Sequence, residues 1–283
     1  MKRVLLPVAL FAFLPTAAHS SEWLGWTEAG QTQIIEVSYE NNSERSDGGS
    51  GSSRGHTRLI ERVVGTGIGG AEVEYDLPPE SDERARAREW MLPARFHISP
   101  DGSVTLANEE ILNDRLDVWL DLAGWTRDMC DQWIFTWNAF KIECDPQSSL
   151  SIIEDYGLRF LSLEEGATVT HRAASKSGIL SREGEYLIAD MPLDPQTIQQ
   201  ERVEADLVVA RITGETLDFE TALRERQKES VSGTILLRYR LNAEGSVIWR
   251  EEVLMTSTTD SHGVTEKETN RTITRLLESE TST

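Results

Sequence analysis

Residues 234–255 read TILLRYRLNAEGSVIWREEVLM. In Thr234–Leu241, Ile235, Leu237, Tyr239 and Leu241 fall on one side of an alternating run. Asn242-Ala-Glu-Gly245 has the composition of a tight turn, and Val247, Trp249, Val253 and Met255 then run in phase. Period two gives a strand one buried and one wet face, so the stretch predicts antiparallel sheet. Asp260-Ser-His-Gly263 offers a second turn, and Val264–Leu277 a long polar strand. Residues 231–277 therefore predict a three-stranded meander.

The other end has the same plan. Ile35, Val37 and Tyr39 alternate with Glu36 and Ser38; Thr57–Val64 is rich in β-formers; Val73, Tyr75 and Leu77 alternate with Glu72, Glu74 and Asp76. The strands of 31–77 are expected to flank a polar, Gly/Ser-rich hairpin loop at Ser43–Gly55. Residues 80–230 predict a mainly helical middle. Glu109–Ala123 carries Leu112, Leu116, Trp119, Leu120 and Ala123 at helical spacing, with Asn108 placed to cap it and Gly124 to end it. Asp145-Pro146, Asp194-Pro195 and Asp218 each open a further helix, the second running to about Ala210 and the third to about Lys228. The fold expected is α+β: antiparallel sheet from the N- and C-terminal meanders and a helical centre that carries the clipped hairpin, with the pairing of the two ends into one curved layer left open by the pattern.

The helical centre contains both cysteines, Cys130 and Cys144, within MCDQWIFTWNAFKIECD at residues 129–145. A zinc site wants four ligands at short spacings, and the histidines are scattered. A redox centre wants CxxC, which is absent. A structural disulfide needs only two cysteines. It also needs its Cα atoms within roughly 7 Å, whereas fourteen residues of helix would hold them about 21 Å apart. The chain must therefore reverse, and Trp133–Trp137 and Phe140–Cys144 suit a β-hairpin clipped across its open end, with Asn138-Ala139 at the turn. The run WIFTWNAFKIECDPQS, with Gly124, Trp125 and Cys130 before it and VSGTI at Val231–Ile235, resembles a family of secreted alphaproteobacterial proteins with no established activity. The resemblance extends over most of the mature chain. It implies a compartment and supplies no catalytic residues.

That compartment also follows from the N-terminus. Lys2 and Arg3 precede an apolar run, Val4–Leu14, and Pro15-Thr-Ala-Ala-His-Ser20 brings small residues to a cleavage point after Ser20. Eleven apolar residues rise only about 17 Å as a helix, too little for a bilayer core of ~30 Å. Residues 1–20 are read as a signal peptide, 21–283 as a mature periplasmic or secreted protein, soluble once cleaved. Losing Lys2 and Arg3 takes the formal net charge from −20 to −22. Such an acidic chain repels nucleic acid backbones and anionic lipid surfaces.

Chemical motifs are weak. Gly65-Thr-Gly-Ile-Gly-Gly70 matches a dinucleotide fingerprint, but a strand pattern follows it where a helix is required, so it reads as a hairpin turn. Gly51-Ser-Ser-Arg-Gly55 matches a nucleophile elbow by chance inside a polar loop. Asp114, Asp117 and Asp121 form the wet side of the best helix. No cofactor, metal site or catalytic residue is assigned. Trp125, Trp133, Trp137 and Phe140 suit either core packing or a candidate ligand surface, because an indole offers a flat apolar face with a polar handle. Trp23 and Trp26 are further candidates to anchor a partner. The expected function is a non-enzymatic envelope module binding a protein, a peptide or a lipid. The alternative is an envelope hydrolase attacking a glycan or peptide through paired carboxylates about 5–10 Å apart.

Overall fold

A computed structural model describes residues 29–135 and 139–277, without the side chains of 135, 139, 140 and 160. The expected leader, Trp23, Trp26, Trp137 and Asn138 lie outside the described residues. The fold is α+β. Ten strands form one antiparallel sheet in two meanders. The first comprises β1 (Thr32–Arg45), β2 (Ser50–Gly67), β3 (Gly70–Asp76), β4 (Ala94–Ile98) and β5 (Val104–Leu106). The second comprises β10 (Ser181–Glu183), β11 (Tyr186–Pro192), β12 (Ser230–Leu241), β13 (Val247–Thr259) and β14 (Thr265–Leu277). They join where β1 pairs with β14, from Ile34 opposite Leu277 to Arg45 opposite Glu266. The two ends of the described chain thus meet at the centre of the sheet. Both edges, β5 and β10, are three residues long, which leaves little unpaired backbone for another chain.

The helices are α1 (Glu83–Arg88), α2 (Glu109–Leu122), α3 (Ser151–Tyr156), α4 (Pro195–Thr213) and α5 (Phe219–Arg226). Asp194 and Asp218 cap α4 and α5 by accepting from Gln196 N and Thr221 N. Asp145 accepts from Gln147 N, but its proline opens a short 3₁₀ turn, Pro146–Leu150, before α3. Asn108 does not cap α2. Its Oδ1 accepts from Arg95 N and its Nδ2 donates to Pro93 O, so it ties the helix start to β4 instead.

Three other expectations are corrected. Most of Ser43–Gly55 is strand, with Asn41 opposite Ser53 and only Ser46–Gly49 left as the turn. Pairing outweighs the local Gly/Ser preference: Ser43–Arg45 pair with β14, and Ser50–Gly55 pair with β1. The middle contributes β4, β5, β10 and β11 to the large sheet, besides two minor two-stranded pairs, β6 (Trp133–Phe135) with β7 (Ala139–Lys141) and β8 (Thr168–Val169) with β9 (Gly178–Ile179). Finally, Val247 does not share a face with Trp249, Val253 and Met255. The register shifts at Arg240/Leu241, and this bulge turns Val247 into the core.

The described residues cover one face of the sheet and leave the other open. The covered face presents Ile35, Leu59, Val73, Tyr75 and Phe96 in the first meander and Leu187, Met191, Ile235, Leu237 and Tyr239 in the second. Ile153 and Tyr156 of α3 pack on the first set, and Ile198 of α4 on the second. A third cluster, Trp90, Leu112, Leu116, Leu120 and Ile142, seats α2 beside the hairpin.

The disulfide forms as expected. Cys130 and Cys144 are bonded with Cα atoms 5.5 Å apart, just outside β6 and β7, and both pack against the α2 cluster. The hairpin turn between β2 and β3 is Ile68-Gly69, with Gly65–Gly67 and Gly70 already in the paired strands, and Ser53 lies inside β2 and not at a strand-to-helix elbow. Among the described residues no helix is long and apolar enough to cross a membrane.

Candidate functional site

The uncovered face carries an ordered array of arginines and glutamates. Residues directly opposite on neighbouring strands share a face, so the register defines rows across the sheet. One row runs Tyr186, Arg240, Trp249, Arg275, Glu36, Arg58 over β11, β12, β13, β14, β1 and β2. Four residues along the strands lies a second row with Arg271, Glu40 and Arg54 on β14, β1 and β2. Between them runs a row with Arg238, Glu251, Ile273, Ser38 and His56.

Three glutamates of this face are each gripped by two arginines. Glu36 accepts from Arg58 Nε at 2.7 Å and Arg275 Nε at 2.9 Å. Glu251 pairs with Arg238 at 3.0 Å and Arg271 at 2.6 Å. Glu74 pairs with Arg62 at 3.1 Å and Arg95 at 2.9 Å. The carboxylates are 3–12 % exposed while their arginines are 39–51 % exposed. Each unit therefore hides one negative charge beneath two half-exposed positive ones. Burial alone would push the Glu36 carboxyl up, but the hydrogen bonds and charges of Arg58 and Arg275 outweigh it and hold the carboxyl below its usual range. An ionised carboxylate fixes both guanidinium planes and leaves their outer N–H groups free to donate.

These rows line a groove of about 690 Å³, built only from β1, β2, β13 and β14. Four guanidiniums (Arg54, Arg58, Arg271, Arg275) and two carboxylates (Glu36, Glu40) line it, with Trp249, Ile273 and His56. The ring of Tyr186 braces Trp249 at a centroid distance of 5.5 Å, tilted by 59°. Among the described residues no carboxylate pairs with Arg54 or Arg240, and the buried Nε of Arg240 has no hydrogen-bond partner.

The aromatic residues singled out from the sequence lie elsewhere. Trp125 meets Trp119 edge to face at 5.6 Å and packs on the α2 cluster. Ile134 packs on that cluster too, and Trp133 is half-buried opposite Lys141. Trp137 and the Phe140 side chain lie outside the described residues. Neither Trp125 nor Trp133 lines the groove. A smaller hollow of about 450 Å³ between α1 and α2 is lined by Trp90, Trp119 and the exposed Ile111, Val118 and Leu122.

The groove residues escaped the sequence reading because charged residues on a wet strand face carry no signal alone. The usable hint was spacing: Arg54, Arg58 and Arg62 on one strand, Arg271 and Arg275 on another, each separated by four and so on one face.

Two other polar features are structural in placement. Glu61, on the covered face, is buried with Tyr75 Oη donating to it at 2.5 Å, Gln33 Nε2 donating to its other oxygen, and Arg159 Nε 3.6 Å away. Asp117 pairs with Arg127 on the surface of α2. Among the described residues no three His, Cys, Asp or Glu side chains gather as a metal ion would require.

No family model and no curated protein matches this chain. Among solved structures, one described as lipid–protein interactions in lipovitellin aligns with 88 % of this chain at 10 % identity and a TM-score of 0.35. This chain spans 25 % of that one. The dehydratase domain of RzxB from Pseudomonas fluorescens aligns with 88 % of this chain and 78 % of its own, at 10 % identity and a TM-score of 0.14.

Proposed function

We propose that this protein is a non-catalytic binding module, exported to the periplasm or beyond, whose open sheet face holds an anionic ligand. One observation carries the reading: in a chain of formal net charge −20, four arginines and only two carboxylates line the groove. A surface so acidic elsewhere gains nothing in solubility from clustering arginines. Preorganised guanidiniums suit the planar, bidentate recognition of carboxylate or phosphate oxygens. Burying Glu36 and Glu251 between arginines is costly unless every partner is placed, and that cost goes into fixing donors in space. A hydrolase would need a carboxylic acid that keeps its proton near neutrality. Burial raises Glu61 to about 7, but that carboxyl is buried on the covered face and does not line the groove, where the hydrogen bonds on Glu36 have the opposite effect.

Inorganic tripolyphosphate is a suitable first probe, titrated at low ionic strength and followed by calorimetry. Arg54→Gln with Arg240→Gln removes two guanidiniums that pair with no carboxylate among the described residues and puts no like charge opposite Glu40, so the sheet should survive the change. The expected result is saturable binding that the double variant weakens at least tenfold at an unchanged melting temperature. Absence of binding, or equal binding by the variant, would rule the groove out as an anion site.

A further inference from the structure

The two rows of the groove differ in how their arginines are committed, and the difference describes a ligand. In the Trp249 row, Arg275 and Arg58 are both tied to the buried Glu36, and the indole stands between Arg240 and Arg275 in the register. In the other row Glu40 stands between Arg271 and Arg54 in the register, Arg271 is tied to Glu251, and Arg54 pairs with no carboxylate among the described residues. Four residues of strand separate the rows by about 13 Å. A ligand satisfying both must put a flat apolar face against Trp249, an anionic group beside it, and another anionic group about 13 Å further along the strands.

We propose that the groove binds an acidic polysaccharide, a polyuronate chain lying along β1 and β14. This rests on the anion-binding reading above and names its ligand. Each ring of such a chain offers a C–H face to the indole and a carboxylate to a guanidinium, so one repeating molecule meets both rows. The competing chemistries fit less of the groove. An acidic peptide supplies carboxylates and no ring for Trp249. A lipid or fatty acid needs an apolar trough, and Ile273 is the single aliphatic side chain in the lining. The volume of about 690 Å³ suits a short run of linked rings, with the remainder of the chain running over the face.

The test compares oligogalacturonate with poly-L-glutamate and neutral dextran, titrated into the full chain by calorimetry and tryptophan fluorescence. The variants are Trp249→Ala, Trp249→Leu and Arg54→Gln, with thermal melting to check each fold. The inference expects oligogalacturonate to bind, dextran not to bind, and Arg54→Gln to weaken every anion. Whichever Trp249 variant keeps the wild-type melting temperature should lose at least tenfold toward oligogalacturonate and nothing toward poly-L-glutamate. If both polyanions bind equally and Trp249 replacement changes neither, the sugar assignment is wrong while the anion site stands. If dextran binds as well as oligogalacturonate, charge is not being read and the assignment is wrong. If no anion binds, the anion-binding reading falls and takes this one with it. Should both Trp249 variants misfold, preference of the wild type for oligogalacturonate over poly-L-glutamate at matched charge decides: tenfold supports the inference, equality overturns it.

Discussion

At the scale of single residues, the covered face holds a carboxyl whose titration differs in sign from that of the groove. Burial raises the Glu61 pKa from 4.5 to about 7, although Tyr75, Arg159 and Gln33 all pull it down. Unfolded, the same group titrates near 4.5. Between those values the folded chain keeps a proton that the unfolded chain has lost. The stabilisation is therefore fully present below 4.5 and is lost as pH rises through about 7. Integrated over the shift it is on the order of 3 kcal/mol. Glu61→Gln cannot titrate. Urea unfolding near pH 4.5 and well above pH 7 should show wild type losing about that much more stability than the variant across the interval. Parallel profiles would mean that Glu61 is ionised throughout. Glu36 behaves oppositely: its lowered pKa means that its contribution is present at neutral pH and is lost on acidification below its usual range. The identity of Glu61 as a buried carboxyl was not legible beforehand. It sits in a row of β2 whose other covered-face members, Leu59 and Val63, are apolar, and alternation alone marks it only as an exception.

At the scale of elements, the clipped hairpin and the central ladders make separate demands. Closing the loop from Cys130 to Cys144 restricts the unfolded chain by about 3 kcal/mol in the chain-entropy view. Replacing both cysteines by serine should lower the melting temperature by about 6–12 °C. Anion binding should persist, because the bond supports the α2 cluster and none of the strands lining the groove. An unchanged melting temperature would show that the hairpin is held by packing alone. In the β12–β13 ladder, a Cβ on Gly233 would stand 2.1 Å from the Met255 carbonyl oxygen. Backbone cannot swing aside as a side chain can, so Gly233→Ala should cost about 1–3 kcal/mol, readable as a lower urea midpoint. Helix starts at Pro195 and Phe219 and the presence of a hairpin turn within Gly65–Gly70 were legible because capping and turn chemistry are local. Strand β11 and the shift at Arg240/Leu241 were not, because pairing partners decide them.

At the scale of the whole molecule, charge is the organising quantity. A formal net charge of −20 makes the folded chain repel itself, while the groove concentrates positive charge on one face. Added salt shortens the screening length from ~10 Å at 0.1 M to ~3 Å at 1 M. Two opposed responses are expected: the free protein should melt higher as salt relieves repulsion, and anion binding should weaken as salt screens attraction. Melting curves and calorimetric titrations across one salt series would check both. Responses of the same sign would break the link between net charge and groove.

The sequence by itself determined the alternating strands at both ends, the Asp-capped helix starts of the middle and the reversal between Cys130 and Cys144. Those features depend on residues near one another along the chain, through side-chain periodicity, capping hydrogen bonds and the reach of a disulfide. Tertiary structure alone decided that β1 and β14 are neighbours, that β4, β5, β10 and β11 extend the sheet, and that Glu36 lies between Arg58 and Arg275. Arg275 is separated from Glu36 by 239 residues. A row across a sheet is set by strand register, and register is fixed by how whole faces bury against the helices. An arginine's place on a strand can be read from spacing, but the carboxylate opposite it appears only when the strands have paired.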